Sequence, residues 1–177
     1  MEIDDNSILR ITSGHACTLF VRMCILKSRC VYSSSIPSEL SNVRLVVEEL
    51  ISCLQHNCGE LCEEVLFDLK VILNEVLVNA IMHGNHEDES KKVKIDAGIT
   101  EKGDVFLIIE DEGSGYDFEE ICEKHKSVVT NIDDMNESGR GIMIVKGLCD
   151  KVKVNKKGNK IIILKSIEKT HPSAKHV

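Results

Sequence analysis

The chain has 177 residues, a length that suits one domain, and its 42% hydrophobic content excludes wholesale disorder. Its net charge of −7 argues against an electrostatic nucleic-acid binder, whose surface would be basic. The charge is uneven, because residues 151–177 hold eight lysines against one acidic residue. Aromatic residues make up only 3% of the chain, which predicts an aliphatic core.

The eight cysteines show no C-x-x-C spacing, so the sequence predicts no zinc site of the Cys/His type. The first residues, MEIDDNS, are acidic, unlike the basic start of a secretory signal. The most apolar early stretch, Ala16–Leu26, is too short to span a bilayer and contains Arg22. We therefore expect a cytoplasmic protein with reduced, mostly buried thiols and no contact with a membrane.

Hydrophobic periodicity predicts the regular elements along the chain, while residues 1–28 give only weak signals. Pro37 suits the first turn of a helix, and Gly84-Asn85 is a typical helix end. In chain order we predict a strand at 31–35, helices at 37–56 and 60–83, strands at 93–100 and 105–110, a short helix at 118–124, a mobile loop at 126–138, a helix at 142–149, and a hairpin of 152–154 with 161–164.

This order, helices first and then strands with one helix between them, predicts an α+β fold. We expect a two-layer α/β sandwich, with helices packed on one face of a mixed, largely antiparallel sheet. The basic C-terminal part fits an exposed hairpin: Lys151 and Lys153 alternate with valines, as on the solvent face of a strand. Lys156, Lys157 and Lys160 are expected in the turn and at the edge, which makes a nucleic-acid-binding tail improbable.

The helix at 60–83 carries the first segment with chemical character. Its apolar residues fall in one wide arc, and Glu75 and Asn79 lie just beyond one edge of that arc, one turn apart. A carboxylate can accept a proton from an attacking hydroxyl, and an amide oxygen can bind Mg²⁺. Taken alone, the pair is equally compatible with two polar residues at a helix boundary.

Two further segments are rich in glycine. Asp111 follows an apolar strand and enters a turn with Gly113 and Gly115, where the backbone can approach a flat ligand and the carboxylate can bind an amine. Gly139-Arg140-Gly141 opens a helix, whose free N–H groups suit phosphate. The spacings exclude a calcium loop, a dinucleotide fingerprint and a P-loop. Each segment alone is also compatible with an ordinary turn.

Together and in this order, the three segments resemble the sequence boxes of the GHKL ATPase superfamily, which includes gyrase, Hsp90, histidine kinases and MutL. Within it, the chain resembles the bacterial anti-sigma factor serine/threonine kinases. The boxes are E-x-x-x-N-A-x-x-H-G, D-x-G-x-G and G-x-G before an apolar helix, and here they begin at Glu75, Asp111 and Gly139. The resemblance extends over 31–165 and implies the Bergerat fold of histidine-kinase-like ATPases.

The resemblance implies a role for each box residue and two cofactors, ATP and Mg²⁺. Glu75 would activate the attacking hydroxyl, Asn79 would bind Mg²⁺ beside the phosphates, and Asp111 would recognise the adenine amino group. The family's adenine pocket is shaped by Gly113 and Gly115. The end of the family's ATP lid, here 116–138, contacts phosphates through Gly139, Arg140 and Gly141. His83 is expected to have a structural role, packing or capping at the helix end.

The resemblance also implies a domain division and a function. We expect an N-terminal extension at 1–30, an ATP-binding kinase domain at 31–166 and a tail at 167–177. The sequence does not decide whether the extension is an added strand and helix, a dimerisation arm or a regulatory segment. The implied activity is phosphorylation of an anti-anti-sigma (STAS-domain) partner by a homodimer that also binds a sigma factor. The alternative is a nucleotide-gated binding switch of the same fold without phosphotransfer.

Overall fold

The computed structural model describes residues 28–115 and 137–167, with the side chains of 137–140 excepted. The predicted helix at 118–124 and most of the predicted loop at 126–138 lie outside these ranges. The elements in chain order are β1 (Arg29–Pro37), α1 (Ser41–Cys58), α2 (Glu63–Asn79), a π-helical turn (Ala80–Gly84), β2 (Lys92–Ile99), β3 (Val105–Asp111), α3 (Glu137–Leu148), β4 (Lys151–Val154) and β5 (Lys160–Lys165).

Five strands form one sheet in the order β1-β2-β3-β5-β4. The helices α1, α2 and α3 pack on one face of it, which confirms the predicted two-layer α+β sandwich. All four strand pairings are antiparallel. The sequence predicts a mixed, largely antiparallel sheet, but the described strands include no parallel pair. Two hairpins, β2–β3 and β4–β5, and two longer connections through the helices join them.

The core lies between the helices and the sheet and is almost entirely aliphatic. The predicted apolar arc of α2 is confirmed, since its central positions are buried and Val65 and Leu66 at its start are partly buried. On the sheet, alternate residues of each strand face this core, as the pleat requires. They are Val93, Ile95 and Ala97 of β2, Val105, Leu107 and Ile109 of β3, and Ile161 and Ile163 of β5.

The predicted starts of the first and third helices are wrong by several residues, whereas the predicted end of the second helix at Gly84 is confirmed. Pro37 ends β1 opposite Lys92 instead of opening a helix, because a residue without an N–H is tolerated at the end of an edge strand. The second helix widens into the π-helical turn after Asn79, where the Asn85 N–H donates to the Ala80 carbonyl over 2.9 Å. The third helix already includes Glu137, so its G-x-G segment lies within the helix instead of before it.

Two expectations about side chains also need correction. Lys160 is not an edge lysine: it begins the inner strand β5, is 8% exposed, and its Nζ lies 2.9 Å from Glu110 Oε2. The cysteines in the described ranges are free thiols, but Cys62 is exposed and the others are half-buried. Burial raises the pKa of Cys30, Cys58 and Cys149, which keeps these thiols protonated and poorly reactive. No described helix is long and apolar enough to cross a membrane.

The fully buried side chain of Asn85 joins four segments of the chain. Its Nδ2 donates to Ser38 Oγ over 2.6 Å, just after β1, and to the Lys92 carbonyl over 3.0 Å, at the start of β2. Its Oδ1 accepts from the Glu112 N–H over 2.8 Å, just after β3. Asn85 itself directly follows the π-helical turn. One carboxamide therefore fixes where the helical layer meets the ends of three strands.

We predict that Asn85→Ala lowers the free energy of unfolding by about 3 kcal/mol, since it leaves the buried Ser38 hydroxyl and two part-buried backbone groups without their partner. Urea denaturation of the full chain measures this loss. The control is Asn74→Ala, which removes an exposed hydrogen bond to the Lys70 carbonyl and should change stability by no more than about 0.5 kcal/mol. Equal effects of the two substitutions contradict the importance of the Asn85 contacts.

Candidate functional site

Asp111 is the last residue of β3, and its carboxylate is 6% exposed. Its Oδ1 accepts a hydrogen bond from the Gly113 N–H over 2.9 Å, which fixes the turn that follows. Burial raises the pKa of the Asp111 carboxyl, an effect that the Gly113 N–H and the Lys157 ammonium partly oppose. The predicted ligand-binding carboxylate is therefore a desolvated acceptor held in one position.

A second asparagine, Asn159, holds the backbone of Asp111 from the neighbouring hairpin. The Asp111 N–H donates to the Asn159 carbonyl over 2.9 Å, and Asn159 Nδ2 donates to the Asp111 carbonyl over 2.7 Å. Asn155 supports this arrangement: its Nδ2 donates to Asn159 Oδ1 over 2.9 Å, and its Oδ1 accepts from the Gly158 N–H over 2.8 Å. Sequence reasoning missed both asparagines, whose only signal was their position around Gly158 in a turn.

The turn after β3 rests directly on the π-helical turn, because the glycines there leave no room for a side chain. A Cβ on Gly84 would collide with the Asp111 carboxyl group, and a Cβ on Gly113 would collide with the Gly84 carbonyl. Gly115 has a φ of +83° and lies against the Lys157 carbonyl. His83 is exposed on the π-helical turn, so our expectation that it packs at the helix end is wrong.

On the other wall, α2 contacts α3 at Glu75, the predicted base, and Asn79, the predicted Mg²⁺ ligand. Glu75 and Asn79 are both half-exposed on α2, one turn apart. Gly141 of α3 is buried against them: a Cβ there would collide with Glu75 Oε2 and lie 3.3 Å from Asn79 Nδ2. The helix that carries the G-x-G segment therefore packs against both polar residues through a glycine.

One cleft connects these parts, with Asn79 on one side and Asp111 on the other. The residues lining it are Val76, Asn79, Ala80, Ile109, Asp111, Ile142, Gly158, Asn159, Lys160 and Ile161. Gly139 and Arg140 lie in the first turn of α3, and their side chains fall outside the description. The structure thus brings Asn79, Asp111 and Gly141 together, with Glu75 beside Gly141.

The chemistry of this cleft suits a flat ligand with an amino group and an anionic tail. Aliphatic side chains form its walls, the Asp111 carboxylate can accept from the amine, and the backbone N–H groups of α3 near Gly139 and Gly141 suit an anion. The Asn79 amide oxygen can bind a hard cation such as Mg²⁺. The described residues contain no cluster of three or more His, Cys, Asp or Glu, but Mg²⁺ bound partly through phosphates needs only one or two protein oxygens.

Comparison with known proteins finds similarity along most of the chain. The family described as histidine kinase-like ATPase domain matches residues 36–165. An anti-sigma F factor of Clostridium perfringens is 35% identical over 107 residues, which are 59% of this chain and 74% of the relative. The serine-protein kinase RsbW of Oceanobacillus iheyensis is 29% identical over 103 residues, covering 57% of this chain and 65% of the relative.

Among solved structures, the chain resembles the RsbU and RsbW domains of a protein from Mycobacterium tuberculosis. The TM-score is 0.53 at 13% sequence identity, and the match covers 77% of this chain. It spans only 32% of that longer chain. At this identity the likeness shows a shared fold.

We predict that Asp111→Asn stabilises the folded chain at neutral pH. The raised pKa means that the folded chain keeps a proton that the unfolded chain has already lost, so the wild type loses stability as the pH rises from 3.8 through that pKa. The variant retains the acceptor for Gly113 and carries no charge. Urea denaturation across this pH range should show a stability difference that grows in the variant's favour; a constant difference contradicts the prediction.

Proposed function

Because the chain belongs to the histidine kinase-like ATPase family, and its relatives include anti-sigma factors and a serine-protein kinase, we propose that it is an ATP-dependent serine/threonine protein kinase. Its substrate would be an anti-anti-sigma (STAS-domain) protein. The observation that carries the proposal is the shared cleft: Asn79 and Asp111 line it, and Glu75 lies beside them against Gly141.

In this proposal Asp111 recognises the adenine ring of ATP. Its carboxylate accepts a hydrogen bond from the exocyclic amine, and the aliphatic walls of Ile109 and Ile161 cover the faces of the base. Gly113 and Gly115 keep the backbone close to the ring. Asn159 holds the Asp111 backbone, which keeps the acceptor in place while the ligand enters.

Asn79 and the N-terminal part of α3 bind the phosphate groups in this proposal. The Asn79 amide oxygen would hold Mg²⁺, and the bound ion would supply positive charge that offsets the phosphate oxygens. Backbone N–H groups around Gly139 and Arg140 would donate to the same oxygens, near the N-terminal, positive end of the helix dipole. This end of α3 is also where the lid at 116–138, which lies mostly outside the described residues, would return to the domain.

Glu75 acts as the general base. Its carboxylate takes the proton of a serine or threonine hydroxyl on the partner, and the hydroxyl oxygen forms a bond to the γ-phosphorus. The bond between the γ-phosphorus and its bridging oxygen breaks, and ADP leaves. The Glu75 side chain is partly exposed, so a loop of the partner protein can reach it.

The proposed partners follow from the same family. The chain would bind a sigma factor and hold it inactive while the STAS partner is phosphorylated, and it would do so as a homodimer in the cytoplasm. Support for the sigma factor comes from the relatives named as anti-sigma F factors. No direct contact with nucleic acid is needed for this activity, in agreement with the net charge of −7.

We predict that Glu75→Ala slows phosphate transfer to a STAS protein by about 100-fold or more while ATP still binds. Asn79→Ala should instead weaken Mg²⁺-dependent ATP binding by roughly tenfold, which is the typical loss of affinity when one contact to a charged group is removed. Transfer of radioactive phosphate and titration calorimetry measure the two effects. Transfer at the wild-type rate by Glu75→Ala contradicts the base assignment, and unchanged affinity of Asn79→Ala contradicts the metal assignment.

The same measurements separate the kinase from the nucleotide-gated switch. Tight binding of Mg-ATP without transfer to any STAS protein in a panel favours the switch, in which lid order alone would control a partner. A chain that binds no nucleotide contradicts both proposals.

We predict that Gly141→Ala impairs transfer without unfolding the chain. The new methyl group displaces the flexible end of Glu75, and alanine favours the helix, so stability should hold or rise by up to about 1 kcal/mol while transfer falls at least tenfold. The matched control is Gly147→Ala on the same helix, where a Cβ meets nothing within 4 Å and transfer should be unchanged. Equal transfer rates in the two variants contradict the proposed contact.

A further inference from the structure

The sheet has a second apolar face, on the side away from the helices. We call it the distal face and define it by Phe106 and Ile108 of β3 with Ile162 and Leu164 of β5. Phe106 pairs with Leu164 and Ile108 with Ile162, so the four side chains form one patch. They alternate along the strands with residues that face the core, and none of them belongs to the core cluster.

The distal face is buried, although the described elements offer nothing to cover it. Phe106 is 1% exposed, Ile108 and Ile162 are each 3% exposed, and Leu164 is 8% exposed. All three helices in 28–115 and 137–167 pack on the opposite face. The sequences VFLII of β3 and IIIL of β5 are continuous apolar runs, a pattern typical of strands covered on both faces.

Charged residues surround the distal face. By the same alternation, Lys94 and Asp96 of β2 border it on one side, and Lys151 and Lys153 of β4 border it on the other. The Phe106 ring lies over Gly98, where a Cβ would collide with it, so the patch extends toward β1 at that end of the sheet. An apolar patch with a charged rim is typical of a packing surface for one further element.

We propose that the apolar segment Ala16–Leu26 packs on the distal face and forms a third layer of the domain. Only Lys27 separates this segment from Ser28, which leads into β1. β1 begins opposite Ile99, the β2 residue that pairs with Val105, so the chain enters the sheet level with the Phe106 end of the patch. Two strand spacings, about 10 Å, separate β1 from β3, and a few residues bridge that distance.

The length, composition and charge of Ala16–Leu26 are compatible with packing on the distal face. Eleven residues in a helix measure about 16 Å, and the six residues of β5 measure about 20 Å. The segment contains one charged residue, Arg22, among aliphatic, aromatic and sulfur-containing side chains. The acidic residues of MEIDDNS precede it and complement the lysines of β4. By contrast, residues 168–177, EKTHPSAKHV, contain only two aliphatic side chains beyond proline.

A double-mutant cycle on the full chain tests the contact. The segment variant is Phe20→Ala, and the sheet variants are Ile162→Val on the distal face and its neighbour Ile163→Val on the core face. Each of the two sheet variants removes one methylene from β5, so the domain stays folded. Urea denaturation gives the unfolding equilibrium constant of every single and double variant.

We expect Phe20→Ala and Ile162→Val to be coupled: the unfolding constant of the double variant should differ by roughly threefold or more from the product of the two single effects. Phe20→Ala and Ile163→Val should be additive. Additivity with both, or equal coupling with both, overturns the proposal. Sedimentation of the Ile162→Val variant is expected to give the same self-association as the wild type; weakened self-association assigns the distal face to a second copy instead. None of these outcomes depends on the phosphotransfer proposed above.

Discussion

The buried carboxamide of Asn85 is the contact on which the geometry of the cleft depends. It bonds to the chain just after β1, at the start of β2 and just after β3, and its own backbone closes the π-helical turn. An isolated amide in the core costs free energy unless its groups are paired, and here they are paired with three different segments. The carbonyl of Gly84 and the turn containing Gly113 are thereby held in contact. The Asp111 carboxylate has a defined position because this junction is rigid.

Glycine sets the distances between the walls of the cleft. Gly84 and Gly113 let the turn after β3 approach the π-helical turn, and Gly141 lets α3 approach the polar edge of α2. Side chains at these positions would separate the walls by the width of a methyl group or more. The two walls differ in how well they would tolerate a side chain at the glycine. Gly113 lies against a backbone carbonyl, whereas Gly141 lies against the flexible end of Glu75. The first contact therefore concerns folding, and the second concerns the position of one carboxylate.

The sequence predicted the fold class, the order of the elements and the residues that meet at the cleft, because periodicity and glycine placement are local signals. It did not predict where β1 ends or that α3 includes Gly139–Gly141, since the pairing of Pro37 with Lys92 and the packing of Gly141 on α2 are long-range contacts. Lys160 was misplaced for a similar reason. Its turn signal was correct, but only the pairing of β5 with β3 makes that strand an inner one. Asn155 and Asn159 read as ordinary turn residues, and their hydrogen bonds to each other and to Asp111 have no sequence signature.

The bond between Asn159 and Asp111 joins residues 48 positions apart, and this has a consequence for biosynthesis. A nascent chain that ends before β5 contains all three sequence boxes and yet lacks the strand that pairs with β3 and fixes the Asp111 backbone. Non-local pairings of this kind form late, because the entropy of closing a long loop is lost before any stabilising contact has formed. The cleft therefore takes shape only after the C-terminal hairpin has left the ribosome, so fragments shortened from that end contain the boxes without the site.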